Sequence, residues 1–520
     1  MPLRTIAVFV AVLAVGAASA AEPLSVRIDA LLDQKRADQP VSPAADDAEF
    51  LRRAYLDFTG RIPTAEQART FLADKSPTKR AKLIDDLLAG PDYAARMADA
   101  FHVMLMERLG DHPEWSKYLA ESFKANKPWD QMIREILKAD AKDEKAKGAS
   151  FFLSKRLEHY GQQPVDYSAL TRDVGRLFLG KNFQCCECHD HLFIDDYKQQ
   201  HFQGLHAFFK NAALVSEKEI TVVEKPTTEK TSFASVFTKV QMSTAPSVPG
   251  GKMVEIPTFA KGQEFAIPPD RKTNQPGVPK FSTLAAASVE IPVASNKDFV
   301  RNAVNRIWFV LLGRGLVHPL DLSHTRNPAS HPELLDLLAE EFVAHKFDVK
   351  FLLREIAMTK AYQRSSLLPS GATSVDAKLF ATALERRLTA DQLFNAVNAA
   401  VGEKPTDALK AKFVKAYANQ PRDPEDEITP SLKAALFVLH DEAVLALTKP
   451  KPGNLVEKLA KLKDEQIAEE VYLSVLTRKP TADEAKTVGE YLKKNAGKKE
   501  VAIGQMVWAL IASMEFGVNH

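Results

Sequence analysis

Apolar residues recur at helical spacing along most of this 520-residue chain, and prolines cut the pattern into short pieces. A chain patterned this way folds as a stack of short helices rather than as a sheet. Residues 48–56 carry an apolar stripe, and 66–72, 79–88 and 93–109 repeat the spacing, with Pro63, Pro77, Pro91 and Pro113 between them. Proline in the interior of a helix removes a hydrogen bond and clashes with the preceding turn, so each marks a turn or a first helical turn. The pattern continues through 129–137 and 167–179 and resumes at 296. The segment 301–315 reads as an apolar helix stopped by Gly313 and Gly315, with Pro319 beyond. Ser330-His331-Pro332-Glu333 reads as a capping box, and 501–516, apolar nearly all round, is expected to be buried.

Between these helical stretches the texture changes. Eight of the thirty prolines fall within 221–280, and the apolar segments at 220–224, 236–242, 253–257 and 288–293 are short and alternating. That pattern favours short strands and irregular loops. The expected fold is therefore mainly α, with multi-helical domains at 24–215 and 296–520 and a small β-rich or irregular insert at 216–295. One internal echo stands out: YLDFTGRIPTAEQA (55–68) and YLSVLTRKPTADEA (472–485) align without a gap. Thr64 with Gln67, and Thr481 with Glu484, read as capping boxes, so Arg61 and Arg478 belong to two similar helix–turn–helix corners.

Residues 1–20 read as a secretory leader: Arg4, an apolar run from 6 to 18, and Ala18-Ser19-Ala20 as a small-x-small cleavage signal. The run is too short to cross a bilayer, so the expectation is an extracytoplasmic protein with no membrane span after cleavage. Lys and Arg number 69 against 67 Asp and Glu, a balance that argues against a nucleic-acid partner. No Gly-rich phosphate loop, G-x-S-x-G elbow or H-E-x-x-H motif is present, so the common hydrolase chemistries lack a carrier.

The three cysteines lie within four positions of NFQCCECHDHLF (182–193). Three cysteines cannot build a disulfide framework, so they need a local explanation. Cys185, Cys188 and His189 form C-x-x-C-H, the attachment signal of c-type haem, in which two thiols add to the porphyrin vinyl groups and the adjacent imidazole ligates iron. Three other readings compete. Cys185 and Cys188 could join two of His191, His201 and His206 in a Cys₂His₂ zinc site. The pair could cycle as a redox dithiol, or all three could be buried structural thiols. For a sixth iron ligand, His201 and His206 lie downstream with Met242 and Met253; His191 is too close to His189 to reach the opposite face. Asp190 and His191 are placed to support His189, whereas Asp195 and Asp196 read equally well as a solvated loop.

FLGKNFQCCECHDHLFIDDYKQQHFQGLHAFF (178–209) resembles the C-x-x-C-H-D-H-x-F stretch of the planctomycete cytochrome-c-like secreted proteins. Residues 50–98 resemble the opening of that family's first domain, and VNRIWFVLLGRGLVHPLDL (304–322) its second domain of unknown function. The resemblance implies covalent haem c at Cys185 and Cys188 with His189 as proximal ligand, and transfers no catalytic residue. Cys186 departs from the family pattern, in which a small residue is more usual. The function expected is electron transfer or oxidoreduction with a redox partner protein or an extracellular substrate. The alternative is a non-enzymatic binding or scaffold protein whose Cys/His cluster holds zinc or is purely structural. Asn305 and Arg306, polar within an apolar helix, are expected to anchor one helix to another.

Overall fold

Asp46 opens the helix Asp47–Thr59 by accepting the backbone N–H groups of Ala48 and Glu49, and Gly60 closes it at φ +70°. Such a left-handed C-cap suits glycine, which has no Cβ to clash with the carbonyl. Every residue from Phe50 to Thr59 is buried, so this helix is not a one-faced surface helix. Its Phe50, Leu51, Ala54 and Phe58 belong to one hydrophobic core, while Leu56 belongs to a second. Three charged residues are buried with them, and each is satisfied by a distant part of the chain. Arg52 donates to the carbonyl of Phe516 (2.8 Å) and Arg53 to those of Arg364 (2.7 Å) and His520 (3.1 Å). Asp57 accepts from Tyr362 Oη (3.0 Å), Arg386 Nη2 (2.9 Å) and Asn519 Nδ2 (2.8 Å).

The computed structural model describes residues 22–520 except 38, 141, 160, 217, 271, 273, 274 and 425–430. The expected leader at 1–20 lies outside the described residues. Helix makes up 53% and strand 6%, the mainly α fold expected from the periodicity. No helix among the described residues is long and apolar enough to cross a membrane.

The first core gathers helices from Leu24–Arg36 to Gln199–Phe209 and continues through Thr283–Glu290, Lys297–Leu312, Pro332–Ala344 and Val349–Ala357 to Phe380. The second takes Leu388 and the helices from Ala390–Val401 to Lys499–Ile511. Apart from Leu56 and Ile62, which join the second core, and Leu473, which joins the first, packing separates the chain between Phe380 and Leu388, so the helices after 296 are shared between two cores. Lys297–Leu312 lies against Tyr167–Leu179, a contact between segments that are far apart in sequence. Within it Asn305 exchanges both backbone hydrogen bonds with Val317, and Arg306 pairs with Asp321 and donates to the Arg176 carbonyl (2.9 Å). Arg306 is the helix-to-helix anchor expected of a polar group in an apolar helix, whereas Asn305 fixes the loop that follows its own helix.

The insert holds two two-stranded antiparallel ladders, Thr231–Ala234 with Gln241–Thr244 and Phe265–Ile267 with Val278–Pro279, and its strand Val222–Glu224 forms a third with Ala212–Leu214, just before its expected start. Residues 236–240, read as strand, form a hairpin turn, with Lys239 at φ +59°. Residues 288–293 are not strand either, because Ser282 caps Ala285 N–H and carries helix through Glu290. A fourth ladder, Arg386–Arg387 with Val518–Asn519, ties the C-terminus to the start of the second core.

Both capping boxes of the internal echo form, at Thr64–Gln67 and Thr481–Glu484. Arg61 pairs with Asp92 and Arg478 with Glu484 and Glu515, each over the tyrosine of its own copy. The expected box at Ser330 does not form. His331 is the N-cap and Pro332 the first helical residue, and Ser330 Oγ bonds His331 Nδ1 (3.0 Å) instead. The last helix is buried on one face only: Ala502, Ile503 and Val507 point inward while Val501 is exposed. It lies on the outside of the second core against Leu455–Ala460 and Asp464–Leu476.

Candidate functional site

The helix Tyr167–Leu179 stops at Gly180 (φ +66°), and the chain folds back so that Lys181 N–H reaches the Gly175 carbonyl and Asn182 N–H that of Asp321. Phe183 then plugs the core, and Asn182 Oδ1 accepts from Gln184 N–H (3.1 Å). These two constraints start a single 3₁₀ turn, Gln184–Glu187. In a 3₁₀ turn residues i and i+3 eclipse, so positions 185 and 188 fall on one face and 186 on another. Cys185 and Cys188 are exposed, and Cys186, 0% exposed, sits in the first core. Burial pushes the Cys186 thiol up to about 12, and the neighbouring Cys185 and Asp190 charges act in the same direction. The turn itself separates the C-x-x-C pair from the third cysteine.

Two helices clamp this turn. Glu187 accepts from Ser168 Oγ (2.7 Å) and Arg172 Nη1 (2.8 Å) on one side. Its carbonyl accepts from Gln199 Nε2 (3.2 Å) and Gln203 Nε2 (3.0 Å), both from the helix Gln199–Phe209, on the other. The hairpin joining Thr231–Ala234 to Gln241–Thr244 closes over the outer face, with Val236 N–H donating to the Cys188 carbonyl (3.0 Å).

His189 Nδ1 lies 2.6 Å from the Asp190 carbonyl. A carbonyl only accepts, so Nδ1 carries the proton, and in the neutral ring Nε2 is the nitrogen with the lone pair. The Phe237 ring packs on the imidazole at 4.7 Å and is itself 63% exposed. Asp190 thus supports His189 through its main chain, while its carboxylate accepts from Gln199 N–H (2.9 Å) at the start of the next helix. Among the described residues no hydrogen bond joins His191 to His189. Its Nδ1 accepts from the N–H groups of Phe193 and Ile194 (3.1 Å each), shaping the loop that leaves Phe193 70% exposed.

His201 donates Nδ1–H to the Asp196 carbonyl (3.1 Å) and lies against Phe183. His206 lies five residues on, about 140° around the helix. It bonds Thr171 Oγ1 (3.2 Å) and stacks on Phe202. Burial holds both imidazoles below the usual histidine range. The two therefore face different surroundings, and among the described residues no group of three or more His, Cys, Asp or Glu side chains is placed to hold a metal ion. The Cys₂His₂ set that the spacing allowed is not assembled.

Asp195 is exposed, whereas Asp196 accepts from Thr325 Oγ1 and N–H (2.7 Å each). Burial would raise Asp196, but these hydrogen bonds keep its carboxyl below the ordinary range. Arg326 reaches the Phe193 carbonyl (2.7 Å), Tyr197 Oη the Ser323 carbonyl (3.2 Å), and His324 packs on Tyr197. The 323–326 loop is thus part of the site, as are Phe237 and Tyr197. None was singled out from sequence, because no local pattern links 323–326 or 237 to the cysteines.

Fold and site together define a multi-helical protein bearing a clamped, outward-facing C-x-x-C-H turn. Residues 27–213 match the family described as PSCyt2, a protein of unknown function (DUF1549), and residues 288–434 match PSD1, a protein of unknown function (DUF1553). The pairing of these two domains fits a planctomycete-type protein of unknown function. No curated protein and no solved structure matches the chain. The cysteine turn lies in the first matched segment and the 323–326 loop in the second, so the site joins the two. The second segment also spans the division between the two cores.

Proposed function

We propose that this chain is an extracytoplasmic c-type haem protein that serves electron transfer or oxidoreduction with a redox partner protein or an extracellular substrate. The observation that carries the reading is the turn's arrangement: two exposed thiols on one face, the third turned into the core, and His189 Nε2 left as an acceptor by the Nδ1–H bond to Asp190. Cys185 and Cys188 would take the thioether bonds and His189 Nε2 the iron. Cys186, buried, is kept out of competition for the vinyl groups. The exposed Phe193, Val236 and Phe237 give an apolar macrocycle side chains to cover, worth roughly 25 cal/mol per Å². When bound, haem supplies a one-electron couple. The protein's part is to hold the His189 ring by the Asp190 carbonyl and to present the site between the hairpin and the 323–326 loop.

Expression with residues 1–20 in a host that matures c-type cytochromes tests this. A covalent haem mass addition and a pyridine haemochrome spectrum are expected in wild type and in Cys186→Ala. Cys185→Ala and Cys188→Ala should each retain at most one thioether. Wild-type protein that leaves such a host without covalent haem would overturn the reading.

A further inference from the structure

Away from the cysteine turn, a cavity of about 360 Å³ lies at the seam of the two cores. Ligand pockets of this size favour such seams. Its wall combines apolar side chains, among them Val103, Met104, Phe309 and Leu320, with the guanidinium groups of Arg96, Arg306, Arg386 and Arg387. Two of the four arginines are fully engaged elsewhere. Arg306 holds Asp321, and Arg386 holds Asp57 and the Val310 carbonyl (2.8 Å).

The other two are not. Arg96 is only 8% exposed, yet among the described residues its one hydrogen bond is from Nε to the Asp57 carbonyl (3.3 Å), and neither Nη1 nor Nη2 bonds a described residue at the cavity. Arg387, at the rim, makes no side-chain hydrogen bond or ion pair among the described residues. The fold makes room for this cluster at two helix ends. A Cβ at Gly60 would stand 2.9 Å from Arg96 Cδ, and one at Gly313 2.3 Å from Arg386 Cδ.

Among the described residues no acidic side chain of the wall hydrogen-bonds Arg96 or Arg387, although the Asp99 and Asp391 charges attract Arg96 without contact. Glu107 is bound at both oxygens by Arg176 (2.9 and 2.7 Å), and Asp391 by Arg108 (2.9 Å) and Lys410 (3.2 Å). Asp99 is approached by Lys410 at 3.5 Å, and burial together with the Asp391 charge raises its carboxyl, which weakens it as a counter-ion. Glu385 is exposed at the rim. A buried guanidinium whose planar fork is unfilled costs free energy that a carboxylate or phosphate would recover through paired, charge-assisted hydrogen bonds.

We propose that this cavity is a binding site for a small organic anion, an oxyanion head on an apolar body, with the head held by Arg96 and Arg387 and the body against Val103, Met104, Phe309 and Leu320. The site is separate from the cysteine turn, so the proposal stands whether or not haem is attached.

The test is titration calorimetry of the full chain with benzoate, with phenyl phosphate, and with benzyl alcohol as the neutral counterpart. One site per chain is expected for at least one anion, weaker binding of benzyl alcohol, and a loss of roughly tenfold or more in affinity in Arg387→Gln. Arg96→Gln should do the same. Because its side chain is buried, Arg96→Lys is the second variant, keeping the charge but losing the fork. Whichever anion binds identifies the head group. No anion binding tighter than about 10 mM, benzyl alcohol binding equally, or unchanged affinity in Arg387→Gln would overturn the proposal.

Discussion

If the 3₁₀ turn sorts the cysteines as described, the three thiols should react at widely different rates. With its thiol pushed up to about 12, Cys186 is roughly one part in 10⁴ thiolate at pH 8, against about a quarter for an ordinary thiol. The more basic thiolate is the better nucleophile, and a Brønsted slope near 0.45 returns a factor of about 40. The net handicap is therefore roughly fifty- to hundredfold from charge alone. Burial adds to it, because Cys186 is 0% exposed and a reagent reaches it only when the turn opens. Apo protein made without residues 1–20, freshly reduced and treated with Ellman's reagent at pH 8, should show two fast thiols and a third that appears in guanidinium. Cys186→Ala should lose only the slow one, and Cys185→Ala should keep one fast and one slow. Three fast thiols in wild type, or a single fast thiol in Cys186→Ala, would refute the assignment of faces.

Two further outcomes follow from buried charge. His331 is held down to about 4, chiefly by burial, with the Lys35 and Arg36 charges assisting. The unfolded chain therefore takes up its proton first as pH falls. The stability contributed is present above about pH 6.5 and lost as pH drops towards 4, about 3 kcal/mol in all. His102, His201, His206, His324 and His520 shift in the same direction, so the measurement is a difference: His331→Gln should flatten the fall of the urea midpoint between pH 6.5 and 4, and an unchanged slope would sink the assignment. Asp57→Asn should lower stability by about 3–5 kcal/mol, because it leaves the Arg386 charge without its buried partner. Arg386→Gln added to it should restore part of that loss in urea unfolding, whereas strictly additive costs would show that the pair does not act together.

Much of the fold was legible locally. Asp46, Thr64, Thr389 and Thr481 cap helices that their own neighbours specify, and Gly60, Gly180 and Gly313 end helices at positive φ. Those interactions span four residues or fewer, so a sequence window contains both partners. The Cys185–Cys188–His189 spacing was legible for the same reason. Longer reach was not. Residues 288–293 alternate like a strand, yet the cap at Ser282 makes the first three of them helix. The last helix is apolar nearly all round in sequence, yet only one of its faces enters the second core and Val501 is left exposed.

The amino-acid sequence by itself determined that the chain is mainly helical, where its corners fall, and which short stretch carries the thiols. Only the tertiary structure decided which way those side chains face. Cys186 is buried because Phe183 anchors the turn in the core, and His189 points Nδ1 at Asp190's carbonyl because the backbone bends that carbonyl onto it. Arg52, Arg53 and Asp57 become the bolts between two cores because Phe516, His520 and Asn519, hundreds of residues away, supply their partners. Periodicity and capping are written over a few residues, whereas burial, pairing and cavities are set by residues that only folding brings together.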